Sequence, residues 1–318
     1  MVLKSDTRLR VVAQGAPAES SQQLSIIVLP SVAINASSQG PGQARLSIRV
    51  GHSPKLPSRP GQARWFVAKS PYANAFEDSK ISRAAQVGLF GEAELRVRRC
   101  AVDASGKLGV VVHAPVWLSG CTVARSGGSG ILVENGAGLR LEGTTIEASQ
   151  NANLDVKDGS VDARGCSLVG GATSGLVVQG QGRAFLADSR IEGHAQGNVF
   201  AIAGARLFAA KSSIRGDASG VWLQDAMVAM VDTRIESATG AALDLRGSAT
   251  PVFYRCGLIG GLSLGAGSTA QFAECELTGE QNTAVAARVE LCAHASVAYA
   301  IDRTLAHVQG VEQPPSAS

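Results

Sequence analysis

Trp222, Phe200 and Val177 follow one another at intervals of 22 and 23 residues, and Gln224 and Gln179 stand two positions after Trp222 and Val177. Aromatic and aliphatic faces beside primary amides can hold a sugar ring or a protein partner. The apolar face packs, and the amide both donates and accepts hydrogen bonds. Asp155 and Asp244 each lie 22 residues beyond one end of this series. A carboxylate there can add an acceptor or, in an enzyme, an acid or base. Arg96, Arg98 and Arg99 form a basic patch. Residues 1–99 carry 14 Lys and Arg against 6 Asp and Glu (+8), and residues 100–318 carry 15 against 20 (−5). A basic end can attract anions or nucleic acid. The plainer reading is solvated charge, and nucleic acid is not expected as a partner.

Other reactive side chains do not assemble into a motif. The six cysteines lack the short C-x-x-C spacing of a metal site, so neither a metal nor a cofactor is expected. His113 and His194 are far apart and read as surface residues. There is no phosphate-binding loop and no Ser-His-Asp arrangement, so no catalytic residue is assigned.

The elements that position these residues follow from a repeat. One apolar anchor recurs at Ile81, Val102, Val123, Ile146, Leu168, Ile191, Ile214, Ile235, Leu258 and Leu277, and two residues before each stands Ser, Thr or Cys. Alternating apolar residues lead into each anchor, as in Leu139 and Leu141 or Leu207 and Ala209. This is the period of a strand with one buried face. Inward pairs such as Leu176 and Val178, or Val221 and Leu223, mark a further strand, often preceded by glycine (Gly109, Gly130, Gly175, Gly220, Gly261). A unit of about 22 residues is too short for a strand–helix–strand crossover. It suits one coil of a solenoid whose strands pair with the next coil about 4.8 Å away. With 37 glycines and only 4% aromatic residues, the composition fits a thin aliphatic core with tight corners.

Gly175-Leu176-Val177-Val178 followed by Ala187-Asp188-Ser189-Arg190-Ile191 resembles the repeats of the pectin-lyase-like superfamily. Gly220-Val221-Trp222-Leu223 followed by Val231-Asp232-Thr233-Arg234-Ile235 carries the same likeness. The resemblance implies an all-β fold, a right-handed single-stranded parallel β-helix of about ten coils. It does not fix function, because that superfamily contains polysaccharide lyases and hydrolases as well as non-catalytic binding modules. The Asn-Thr-Asp and Asp-Asp pairs of its polygalacturonase-like hydrolases are missing. So is the acidic calcium cluster of its pectate lyases. Gly193-His194 is only superficially similar to the Gly-His element.

Stacked coils turn equivalent positions into columns. Val111, Leu132, Asp155, Val177, Phe200, Trp222, Asp244 and Ser263 form one outward column, and Trp117, Phe185 and Phe208 belong to another. The expected binding face is Val177, Phe200 and Trp222 with Gln179, Gln224, Asp155 and Asp244, unless a terminal segment folds back over it. Asp188, Lys211, Asp232, Arg255 and Glu274 alternate in sign, as do Glu192, Arg215 and Glu236, which predicts ion pairs between coils. Cys100 and Cys121 fall on adjacent coils, as do Cys256 and Cys275. Ser and Thr take the same position elsewhere, so these read as small buried thiols, which fits a reducing compartment.

The expected organisation is an N-terminal cap or loosely ordered segment over 1–40, then a β-helix over 41–283 with irregular first coils at 41–75. A C-terminal cap over 284–310 and a disordered tail over 311–318 follow. No signal peptide or membrane span is readable, so a soluble, cytoplasmic protein is expected. The functional expectation is a non-enzymatic scaffold that binds a protein or polysaccharide along the aromatic face. The alternative is a carbohydrate-active enzyme of lyase, hydrolase or epimerase type that acts on an acidic polysaccharide. Oligomeric state is left open.

Overall fold

Alternating apolar residues require a surface on which to bury one face, and here each coil provides it for the next. The computed structural model describes residues 74–309 apart from 93, 280, 284–287 and 293. It also describes four upstream strands, Leu9–Gln14, Gln23–Val28, Ile34–Gln39 and Arg45–Val50. Three long parallel sheets of 12, 10 and 11 strands run along the rod, and each strand is hydrogen-bonded to its counterparts in the coils before and after.

All ten anchors form one continuous register in the first sheet, from Ile81 opposite Val102 to Leu258 opposite Leu277. The inward pairs form the second sheet, in which Val110, Ile131, Leu154, Leu176, Val199, Val221, Leu243 and Leu262 align. The alternating segments form the third, where Val97, Leu118, Leu141, Ala163, Leu186, Ala209, Met230, Phe253 and Phe272 align. The three inward faces close on one aliphatic core along the rod.

Upstream, Leu9–Gln14 and Ile34–Gln39 extend the first sheet beyond Lys80–Ser82, and Gln23–Val28 pairs in parallel with Arg45–Val50. Most of the expected irregular coils at 41–75, and all of the tail at 311–318, lie outside the described residues.

The Ser/Thr/Cys column has a definite role at the corner between the third and first sheets. The residue before each of these side chains is left-handed, from Asp78 (φ 50°) through Asp188 (50°) and Lys211 (48°) to Glu274 (53°). The hydroxyl or thiol then closes the turn by donating to the carbonyl two residues back, as Ser189 does to Ala187 at 2.8 Å and Ser212 to Ala210 at 2.9 Å. It also accepts from the coil before: the Cys166 N–H donates to Ser189 Oγ at 3.1 Å, and the Ser189 N–H to Ser212 Oγ at 3.2 Å. Only Ser, Thr and Cys are both short enough and able to do both.

Glycine before the second-sheet strands serves close approach rather than unusual φ. Among the five expected there, only Gly261 has a positive φ (89°). At Gly175, a Cβ would lie 2.4 Å from Ile191 Cγ2 and 2.9 Å from a carbon of the His194 ring.

The stretch expected as a C-terminal cap over 284–310 contains a helix that the sequence reading did not name. His294–Gln309 is an α-helix. It packs on the outer face of five successive third-sheet strands, Arg183–Ala187, Arg206–Ala210, Met227–Val231, Val252–Tyr254 and Thr269–Ala273. Sixteen helical residues span about 24 Å, against about 19 Å for five rungs, so the helix lies along the rod. Val297 meets Val252 and Ala273, and Val308 meets Phe208 and Ala229.

Candidate functional site

The outer face of the second sheet brings the expected column together. Asp155 lies opposite Val177, Val177 opposite Phe200, Phe200 opposite Trp222, and Trp222 opposite Asp244. Val177, Phe200 and Trp222 are partly exposed, as are Asp155, Gln179 and Asp244, and Gln224 is exposed. The Phe200 and Trp222 ring centroids are 5.7 Å apart, with the planes tilted by 43°. Gln179, Ile202 and Gln224 form the neighbouring column. The stripe has a limit upstream, because Phe90 and Val111 of the same column are buried.

The helix does not cover this stripe. It covers the parallel one on the third sheet, where Phe185 and Phe208 stack at 5.5 Å with planes 1° apart. Past the helix end a shallow groove of about 350 Å³ continues over that sheet, lined by Trp117, Arg140, Asp162, Phe185 and Val308 among others.

The two carboxylates at the ends of the stripe differ. Burial pushes the Asp155 carboxyl above its ordinary value, and nearby Glu134 adds to this. The Gln179 amide donates to Asp155 Oδ1 at 3.0 Å, and with Lys157 it opposes the shift. One rung further, Glu134 is 2.6 Å from His113 Nε2, and the His113 ring meets Phe90 edge-on at 4.8 Å. Asp244 is instead paired with Arg246, at 2.7 and 3.2 Å. Sequence reasoning missed Glu134, although it sits one position past Val133, the place His113 holds after Val112.

The basic patch is internally compensated. Arg96 is 3.6 Å from Glu94, Arg98 is 3.4 Å from Glu77, and Arg99 is 2.7 Å from Asp78. The Arg96 guanidinium also lies 5.1 Å from the Trp117 ring centre. Of the alternating charges, Asp232 pairs with Arg255 at 2.6 Å and Arg215 with Glu236 at 3.3 Å, but Glu192 turns to Arg190 on its own strand. Among the described residues no three His, Cys, Asp or Glu side chains gather as a metal site.

His194 is a correction: it is buried, not a surface residue. Its Nδ1 is 3.0 Å from Asn198 Oδ1, and its Nε2 is 2.9 Å from Asn153 Nδ2. An amide oxygen only accepts and an amide nitrogen only donates, so the ring is neutral with its proton on Nδ1. Burial lowers its pKa, against the hydrogen bond with Asn198. The side chain fills the space left by Gly175 and is out of reach of any ligand on the outer face.

No curated protein matches the chain in sequence. Solved structures give likenesses of fold alone. The periplasmic alginate epimerase AlgG is 8% identical, with a TM-score of 0.38, over 89% of this chain and 77% of its own. A thermostable GH87 α-1,3-glucanase catalytic unit from Streptomyces thermodiastaticus is 11% identical, with a TM-score of 0.39, over 87% and 63%. The receptor-binding tailspike of bacteriophage Det7 is 11% identical, with a TM-score of 0.35, over 90% and 72%. The family model described as a right-handed beta helix region matches residues 68–207 and 116–287. With most of its length under that match, and with three parallel sheets in unbroken register, the chain belongs to the family of the right-handed beta helix region.

Proposed function

We propose that the protein is a scaffold that binds a polymer, a polysaccharide in the first place, along the outer face of the second sheet. One observation carries this reading: of the two apolar stripes described on the rod, the chain's own helix packs against Phe185 and Phe208 and buries Phe208, while Phe200 and Trp222 both remain partly exposed beside Gln179 and Gln224. Rigid rungs hold the rings without further ordering cost, which favours binding. Affinity electrophoresis through gels cast with neutral and with acidic polysaccharides tests it. Retardation by at least one polysaccharide, weakened about tenfold or more in a folded Phe200→Ala, Trp222→Ala double variant, is the expected result. Equal retardation of both proteins sinks the proposal.

A second reading, a carbohydrate-active enzyme, rests on Asp155. A carboxyl driven toward its protonated form beside a Glu–His pair is the kind of inequality that acid–base catalysis uses. Reducing ends or unsaturated products from uronate-rich polysaccharides, lost in Asp155→Asn, would favour this reading over simple binding.

A further inference from the structure

Two pairs of cysteines occupy neighbouring rungs of the corner column, and they differ in one respect. Cys100 and Cys121 are both buried, whereas Cys256 is buried and Cys275 is partly exposed. Gly257 lies opposite Glu276, so Cys256 and Cys275 sit one rung apart. A rung of about 4.8 Å between backbones falls within the separation a disulfide needs. The Cys256 N–H donates to Cys275 Sγ at 3.4 Å, which brings the Cys275 sulfur against the Cys256 rung. We propose that Cys256 and Cys275 form an oxidisable dithiol, a site of covalent modification by hydroperoxides at the C-terminal end of the rod.

The chemistry divides between the two thiols. Interaction with Cys256 draws the Cys275 thiol down to about 7 against its partial burial, and backbone hydrogen bonds, the Cys256 N–H among them, add to this. Cys256 is pushed up, first by the neighbouring Cys275 and then by its deeper burial, and keeps its proton. Cys275 is therefore the nucleophile, since the thiolate is the reactive form. Its sulfur attacks the peroxide O–O bond, takes one oxygen as a sulfenic acid and releases the other as water. The Cys256 sulfur then displaces the sulfenic oxygen as a second water and forms the S–S bond. Two thiols lose two electrons and two protons, and one hydrogen peroxide becomes two waters. Burial raises the Cys100, Cys121 and Cys166 thiols, Cys100 to about 12, so these serve as internal controls.

The bond would close a 19-residue loop. Tyr254 and Ala273, two residues before the cysteines, carry the first half of the helix, so oxidation would fasten the coils on which that helix rests.

The test treats the full, folded chain with hydrogen peroxide near pH 7, blocks free thiols with an alkylating reagent and maps the peptides by mass spectrometry. The expected product is a Cys256–Cys275 cross-linked peptide, formed at least about ten times faster than any oxidation of Cys100, Cys121 or Cys166. In Cys256→Ser, Cys275 should stop at a sulfenic acid trapped by a dimedone-type reagent. That variant should fold, because serine fills this column at Ser189 and Ser212. A cross-link between Cys100 and Cys121 or between Cys275 and Cys292, or peroxide leaving Cys275 fully alkylatable, overturns the proposal.

Discussion

Asn153 and His194, 41 residues apart in the chain, meet inside the rod, where the Asn153 amide donates to His194 Nε2 at 2.9 Å. The same amide nitrogen lies 3.0 Å from the Ile146 carbonyl. His194 therefore joins a polar cluster at a coil corner, with Asn198 on its other nitrogen.

This geometry makes the fold acid-sensitive at one residue. Burial holds the folded pKa of His194 below the unfolded value of about 6.5, and a proton on Nε2 would face the Asn153 donor. The folded state then binds fewer protons. Stability falls as pH drops below about 6.5 and levels off only below the folded pKa, at no more than about 1.4 kcal/mol per pH unit. Thermal melts at pH 7, 6 and 5 should show a steeper decline in the wild type than in His194→Gln. One of the five histidine ring signals in an NMR titration should stay unshifted between pH 7 and about 6.

Ser189 should prove indispensable through its oxygen rather than its size. It closes its own corner and accepts from the Cys166 N–H, and both residues are buried. Ser189→Ala orphans that N–H and should cost about 1–3 kcal/mol, whereas Ser189→Thr should cost less. Urea unfolding at pH 7 checks both, and equal losses would show that the hydroxyl matters only as filler.

The coil register was legible because it is written in two columns at once. An apolar anchor and a Ser, Thr or Cys two residues earlier can coincide ten times only if coils stack, and the stacking pairs every anchor as read. The aromatic column could also be placed, because side chains on a strand alternate strictly. What failed were features that depend on a particular third dimension. His194 looks like a polar residue in a Gly-His turn, and only the missing Cβ of Gly175 makes room for it inside. The helix carries a plain helical period in Val297, Ala300, Ile301, Thr304, Leu305 and Val308, but it follows a long stretch of period-two sequence. The compensation of Arg98 and Arg99 was hidden because Glu77 and Asp78 lie a full coil away.

The helix should be separable from the solenoid. Its apolar contacts form two small clusters distinct from the continuous core. Val297→Asp places a charge where Val297 is fully buried against Val252 and Ala273, which the helix alone cannot accommodate. The variant should bind a hydrophobic dye through the uncovered Phe185 and Phe208. Its coils should still unfold cooperatively, with a midpoint within a few degrees of wild type. Collapse of the whole β-signal in this variant would mean that the helix is part of the folding unit.

Asp155 should trade stability against function. Its carboxyl is pushed up by burial and by Glu134, so the folded state binds a proton more readily than the unfolded one. Its favourable contribution is then complete below the unfolded pKa near 3.9 and is lost as pH rises through the higher folded value. At pH 7 the carboxylate is therefore a burden that Asp155→Asn relieves, and the Gln179 amide can still donate to the new side-chain oxygen. The variant should melt at or above the wild-type temperature at pH 7, and lose that advantage toward pH 4. Its affinity for polysaccharide should fall if the stripe and Asp155 act together. A residue that lowers stability while it supports binding is the pattern expected of a functional position. A variant that melts lower at pH 7 would instead make Asp155 a structural acceptor for Gln179.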